Sequence, residues 1–299
     1  MTDAPIGVFD SGVGGLTVLK ALAAELPREH FVYLGDTARL PYGTKSPETV
    51  ARYAVQAAGA LSEYGVKCLV IACNTASSVG LPAIRQHISG VPIVGVIEPG
   101  AEAACAASKS GHIAVIATEG TVRGGAYQEA ILRLRGRARV VAQPAQLFVA
   151  LAEEGLYEGP IAESVARHYL DPLFRRTGMA AHTTDPHTTS DRTTPVHHRD
   201  ASYREALVSP DTLVLGCTHF PMLAGAIRAA VGPAITIVDS AATTAKAVRD
   251  TLDREGLTRP EGEGTTRFLA TDSAERFARI GARFLERPID PEEVELVDL

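Results

Sequence analysis

The sequence predicts an α/β protein made of two pseudo-symmetric halves, each a doubly wound, mainly parallel sheet, with the two sheets facing a shared cleft. Three observations carry this. The apolar runs are short, rich in Val and Ile, and separated by segments with helical spacing, the pattern of buried parallel strands joined by crossover helices. The chain of 299 residues, 45% hydrophobic and 21% charged, is long enough for two domains and has ordinary globular composition. The order of its motifs also repeats once.

Taken in order, strands are expected at IGVF from Ile6, FVYL from Phe31, CLVIA from Cys68, PIVGVI from Pro92 and IAVIA from Ile113. The series continues with RVVA from Arg139, TLVL from Thr212, ITIV from Ile235 and RFLA from Arg267. Segments 16–26 and 47–64 have the length and apolar spacing of crossover helices, and right-handed crossovers would wind each half into its own sheet.

The repeat is visible when the halves are set side by side. IGVFDSGVGGL from Ile6 matches IAVIATEGTVR from Ile113, which makes Asp10 and Thr118 approximate counterparts at strand ends. CLVIACNT from Cys68 matches TLVLGCTH from Thr212, which does the same for Cys73 and Cys217. The chain is expected to leave its first domain near Ile97 and return near Asp239. That gives a discontinuous first domain, 1–97 plus 239–299, and a second at 98–238.

Composition excludes several function classes. The net charge of −6 offers no broad basic field for a phosphate backbone, so nucleic acid is not an expected partner. No stretch approaches 18 uninterrupted apolar residues and the N-terminus does not read as a signal peptide, so a cytoplasmic protein without a membrane partner is expected. The four cysteines, at 68, 73, 105 and 217, form no CxxC pair, which argues for thiol chemistry rather than a zinc cage or redox dithiol. Cys68 begins an apolar strand and Cys105 lies in AEAACAAS, so both read as packing residues.

Cys73 in CNT and Cys217 in CTH sit instead where a strand gives way to a polar loop. In open α/β sheets ligands bind outside the carboxyl ends of strands, so two facing halves would bring both thiols to one cleft from opposite sides. Racemisation needs that arrangement, because a proton leaves one face of a carbon and another arrives at the opposite face. A thiol and a thiolate suit the pair, since free cysteine titrates near about 8.5. Neither a metal nor a cofactor is required.

DSGVGG at 10–15, GDTARLPYG at 35–43, IACNTAS at 71–77, GVIEPG at 95–100, LAEEG at 151–155, LGCTHFP at 215–221 and FLATD at 268–272 together resemble the glutamate racemases. The resemblance spans nearly the whole chain except 177 to about 209. It implies cofactor-independent interconversion of L- and D-glutamate, D-glutamate supply for peptidoglycan, and two α/β domains with the site between them. It further implies that Cys73 acts on D-glutamate and Cys217 on L-glutamate, with Asp10 assisting Cys73, and His219, supported by Glu153, assisting Cys217. Asp10, Ser11, Pro41, Tyr42, Gly43, Asn74, Thr75, Thr118 and Thr218 match positions that hold the substrate, along with Cys73, Cys217 and His219. The family includes dimers, which leaves a homodimer open.

Physical chemistry qualifies one of these roles. An anionic Asp10 beside Cys73 disfavours the thiolate, so Asp10 is expected to relay a proton or orient the substrate ammonium rather than activate the thiol by its charge. The Ser, Asn and Thr positions are also ordinary helix caps, a role compatible with binding. The glycines at 12, 14 and 15 lack the GxGxxG spacing of a dinucleotide loop and are expected to allow a tight turn and close backbone approach. The Thr-rich stretch around 177–209, with His182, His187, His197 and His198, reads as a flexible surface insertion without metal. An aspartate racemase with the same two thiols, and a non-catalytic small-molecule binder, are the competing readings.

Overall fold

The computed structural model describes residues 2–174 and 209–299. The four histidines of the expected insertion lie outside the described residues. The two described ends meet, with the Ser209 hydroxyl donating to the Phe174 carbonyl at 3.2 Å.

Two all-parallel sheets organise the chain. The first contains β1 (Ile6–Asp10), β2 (Phe31–Gly35), β3 (Cys68–Ile71) and β4 (Ile93–Gly95), together with β9 (Thr266–Ala270) and β10 (Val294–Leu296). Its spatial order is β10-β9-β2-β1-β3-β4. The second contains β5 (His112–Ala117), β6 (Arg139–Pro144), β7 (Thr212–Gly216) and β8 (Thr236–Asp239), in the order β6-β5-β7-β8. The order β2-β1-β3-β4 is thus repeated as β6-β5-β7-β8, and the register repeats with it. Ile6 pairs with Cys68 and Ile113 pairs with Thr212, the same residues that head the repeated sequence motifs.

In each sheet the winding direction reverses beside the first strand of the half, which opens a crevice at the carboxyl ends. Asp10 ends β1 and Cys73 follows the adjacent strand β3; Thr118 and Cys217 follow adjacent strands β5 and β7. Side chains alternate between two layers, as the pleat requires. Ile6, Val8, Leu213 and Leu215 enter a core shared by both sheets, while Phe9 and Val214 enter separate outer cores. Burial on both faces explains why these strands read as continuous apolar runs.

In chain order the helices begin with α1 (Leu16–Glu25), α2 (Pro47–Glu63), α3 (Asn74–Val79), α4 (Leu81–His87), α5 (Ile97–Ala107), α6 (Glu119–Gly124), α7 (Ala126–Leu134) and α8 (Leu147–Glu154). They are followed by α9 (Gly159–Phe174), α10 (Ala224–Val231), α11 (Ser240–Glu255) and α12 (Ala274–Leu285). Two sequence expectations change. The strand expected to run to Ile97 is β4 alone, because the chain turns directly into α5 with Pro99 in its first turn, where a missing N–H costs nothing. The edge strand β10 was not expected, since VEL is three residues long and mostly exposed. No helix among the described residues is long and apolar enough to cross a membrane.

Candidate active site

The carboxyl ends of both sheets border one shared cavity, the place where small molecules bind in open α/β sheets. Its wall includes Ser11, Pro41, Tyr42, Gly43, Cys73, Asn74, Thr75, Thr118, Glu153, Cys217, Thr218 and His219. Every residue picked from the sequence therefore borders one space, except Asp10, which is fully buried behind it.

Cys73 occupies the cap position of α3, where Ser, Asn or Thr would be usual. Its Sγ accepts the Ala76 N–H at 3.4 Å, while its thiol faces Ser11 Oγ at 3.5 Å. Burial, and next the Asp10 charge, push the Cys73 thiol up to about 12, so it is held protonated at neutral pH. The Asp10 carboxylate accepts the Gly12 N–H at 3.0 Å and faces the Thr218 hydroxyl at 3.5 Å. Burial raises its carboxyl; the His219 charge and the N–H groups of Gly15, Gly12 and Ser11 pull the other way.

Across the cavity, Cys217 Sγ lies 3.8 Å from His219 Nδ1, and His219 Nε2 lies 3.3 Å from Glu153 Oε1. Burial alone would lower the imidazole, but the contacts with Cys217 and Glu153 and the charges of Cys217 and Asp10 raise it to about 10. Glu153 moves the opposite way. Its burial would raise it, and His219 with Arg276 brings it below the usual carboxylate range.

This pairing has a stability consequence with a defined sign. A raised histidine stabilises the fold fully below its unfolded value of 6.5 and loses that contribution as pH rises through about 10. A lowered glutamate stabilises above its unfolded value of 4.5 and loses the contribution at acid pH. The thermal midpoint of the wild type should therefore exceed that of His219→Asn most between about pH 5 and 6.5, with the gap closing by about pH 10. Thermal melts across pH 4–10 test this; a gap constant from neutral to alkaline pH would refute it.

The glycine turn makes room for side chains. A Cβ on Gly14 would lie 2.4 Å from the His219 ring, and one on Gly15 would lie 2.4 Å from Asp10 Cβ. Gly14 and Gly15 thus admit close approach, as expected, but it is the site's own acid and imidazole that approach them. Thr17 completes the link, its hydroxyl 3.0 Å from the Thr218 carbonyl and 2.9 Å from that of Gly14.

The remaining polar groups are largely committed to one another. Thr75, Thr118 and Thr121 form a hydroxyl triangle with sides of 2.9, 3.2 and 2.9 Å that joins α3 to the start of α6. Thr118 also caps α6, so capping and cavity lining coincide there. The Tyr42 hydroxyl donates to buried Asp36, leaving its ring and backbone to line the cavity. Asn74 Nδ2 donates to Tyr127 Oη at 2.9 Å, whereas Asn74 Oδ1 and Gln146 Oε1 are buried acceptors with no hydrogen-bond partner.

Leu40, Gln146 and Val149 also border the cavity and were not anticipated. Gln146, Val149 and Glu153 lie at helical spacing along the first turns and end of α8, so one face of that helix forms a wall. Only Glu153 carried a motif. Among the described residues no group of three or more His, Cys, Asp or Glu side chains is arranged to hold a metal ion.

Comparison with known proteins agrees with the geometry. The Asp/Glu/Hydantoin racemase family matches residues 6–167. A glutamate racemase of Geobacter metallireducens is 46% identical over 94% of this chain and 92% of its own length. Among solved structures, a glutamate racemase of Bacillus anthracis superposes with a TM-score of 0.84 at 32% identity, covering 100% of this chain and 99% of that one. A glutamate racemase of Francisella tularensis in complex with D-glutamate gives 0.82 at 30% identity, covering 100% and 98%.

Proposed function

The chain belongs to the Asp/Glu/Hydantoin racemase family, and from that membership we propose that it is a glutamate racemase, interconverting L- and D-glutamate by proton transfer between two thiols without a cofactor. The observation that carries this reading is that Cys73 and Cys217, from equivalent strand ends of two repeated sheets, border the same cavity.

In the L-to-D direction Cys217 takes the α proton and Cys73, resting as the thiol, delivers its own to the opposite face. The enzyme is then left with the protonation states reversed, ready for D-glutamate. His219 orients the Cys217 sulfur and, when protonated, donates an N–H toward it, since both ring nitrogens then carry protons. Glu153 holds the imidazole in that orientation. Asp10 works through the groups it holds, keeping Cys73 protonated and fixing the Ser11–Gly12 turn and Thr218. Ser11, Pro41, Tyr42, Gly43, Asn74, Thr75, Thr118 and Thr218 frame the substrate, offering amide, hydroxyl and backbone groups to its ammonium and carboxylates without adding a strong base that competes for the α proton. D-glutamate made in the cytosol would serve peptidoglycan synthesis.

Incubation with each glutamate enantiomer in heavy water containing chelator tests the reading, with optical rotation and α deuteration recorded together. Loss of rotation accompanied by deuterium at the α carbon is expected from either enantiomer. Racemisation of aspartate in preference to glutamate would assign the site to the shorter acid. Inertness toward both would favour a binding protein whose cysteines only pack.

A further inference from the structure

The helix α12 follows β9 of the first sheet, yet it backs the Cys217 side of the site, which belongs to the second. It does so at three points. Arg276 Nη2 lies 2.9 Å from Glu153 Oε2, Arg283 Nη1 lies 3.3 Å from the Glu153 carbonyl, and the Phe284 ring meets the His219 ring edge-on with centroids 5.2 Å apart. Arg276 and Arg283 are two turns apart and therefore on one face. The Glu153 carbonyl is among the last of α8, where carbonyls lack partners within the helix.

Glu153 is thus divided between two lobes. One carboxylate oxygen faces His219 of the second, and the other is held by an arginine of the first. We propose that Arg276 is a positioning residue of the Cys217 half-site, fixing the Glu153 carboxylate so that its free oxygen aligns His219 with the Cys217 sulfur. The role assigned to that half-site rests on the racemase reading; the effect on His219 does not.

The titratable groups facing His219 are Cys217 on its own turn, Glu153 from α8 and Asp10 from the end of β1. From α12 the ring meets uncharged Phe284, and Arg276 stands behind Glu153. Arg276 attracts the carboxylate electrons that otherwise favour an imidazolium, and its positive charge opposes one. Removing that charge alone would raise the His219 midpoint. Freeing the Glu153 carboxylate instead loosens the hydrogen bond that raises the imidazole, which lowers the midpoint, so a fall marks positioning and a rise marks charge alone. Arg276 is 45% exposed, so solvent screening keeps the direct charge effect the smaller of the two.

The test uses full-length protein with 15N-labelled histidine, the His219 signals being assigned by their loss in His219→Asn. In Arg276→Met the midpoint is expected to fall by about half a pH unit, and kcat/KM for glutamate to fall about threefold with its alkaline limb moved the same way. Arg276→Lys should restore most of both, and Arg279→Met, which removes an exposed charge one turn along the same helix, should move the midpoint less. An unmoved or raised midpoint in Arg276→Met overturns the proposal. So does an equal shift in Arg279→Met, which would detach the effect from the Glu153 contact. A wild type inactive on glutamate would overturn the racemase reading while leaving the titration result to decide the part played by Arg276.

Discussion

Cys73→Ser and Cys217→Ser are each expected to lower racemisation by about 10³-fold or more, the scale of losing one positioned acid or base, while leaving the thermal midpoint within a few degrees of wild type. Both cysteines are about 5% exposed, and serine fits the space of cysteine, so folding survives. The hydroxyl fails as a base because its proton is far harder to remove than that of a thiol.

The enantiomers of glutamate have equal free energies, so the equilibrium constant is one and kcat/KM must fall equally in both directions whichever cysteine is changed. The asymmetry lies in exchange instead. Cys73→Ser keeps the base for the L enantiomer and should deuterate L-glutamate without inverting it; Cys217→Ser should do the same for D-glutamate. Wild-type rates in either variant, or exchange of both enantiomers by each, would refute opposed thiols. Chiral separation with mass detection in heavy water reads both quantities at once.

How far the sequence reveals this site depends on which contacts are local. The strand-end cysteines are legible because buried parallel strands are plain apolar runs, and because a repeated motif implies a repeated register, which the pairing of Ile6 with Cys68 and Ile113 with Thr212 bears out. Arg276 is illegible for the opposite reason. In AERFARIGARFL it looks like one of several solvated arginines, and its partner Glu153 lies 123 residues away. Gln146 reads as an ordinary polar helix start, and only the three-dimensional wall formed by α8 gives it a place. The Tyr42 hydroxyl is similar, since nothing in LPYG announces that it donates its hydrogen bond to Asp36. Asp10 was found through its motif, but its position behind the cavity rather than on it depends on the turn at Gly14 and Gly15, where two glycines admit two bulky neighbours.

At the opposite end of the first sheet, Lys67→Met is expected to destabilise the fold by about 3–5 kcal/mol, because it strands a buried carboxylate. Lys67 Nζ lies 2.5 Å from Glu29 Oε2, with the two side chains 1% and 2% exposed. The ammonium also donates to the carbonyls of Thr2 and Leu257, at 2.5 and 2.8 Å. Glu29 Oε1 in turn accepts the Arg259 N–H at 2.8 Å. One ion pair therefore joins the N-terminus, the entries to β2 and β3, and the segment leading to β9. For a chain of this length the loss corresponds to a fall in thermal midpoint on the order of 10 °C.

The double variant Lys67→Met/Glu29→Gln separates the charge from the contacts. Removing both ions avoids an uncompensated charge, so the double variant should recover a substantial part of the stability lost in Lys67→Met. The carbonyls of Thr2 and Leu257 lose their donor in either case and set a floor to the recovery. Where both proteins remain folded, kcat should match wild type, since the pair sits at the amino ends of strands whose carboxyl ends hold the cavity. A double variant as unstable as Lys67→Met would show that the two carbonyl bonds, rather than the buried charge, account for the cost.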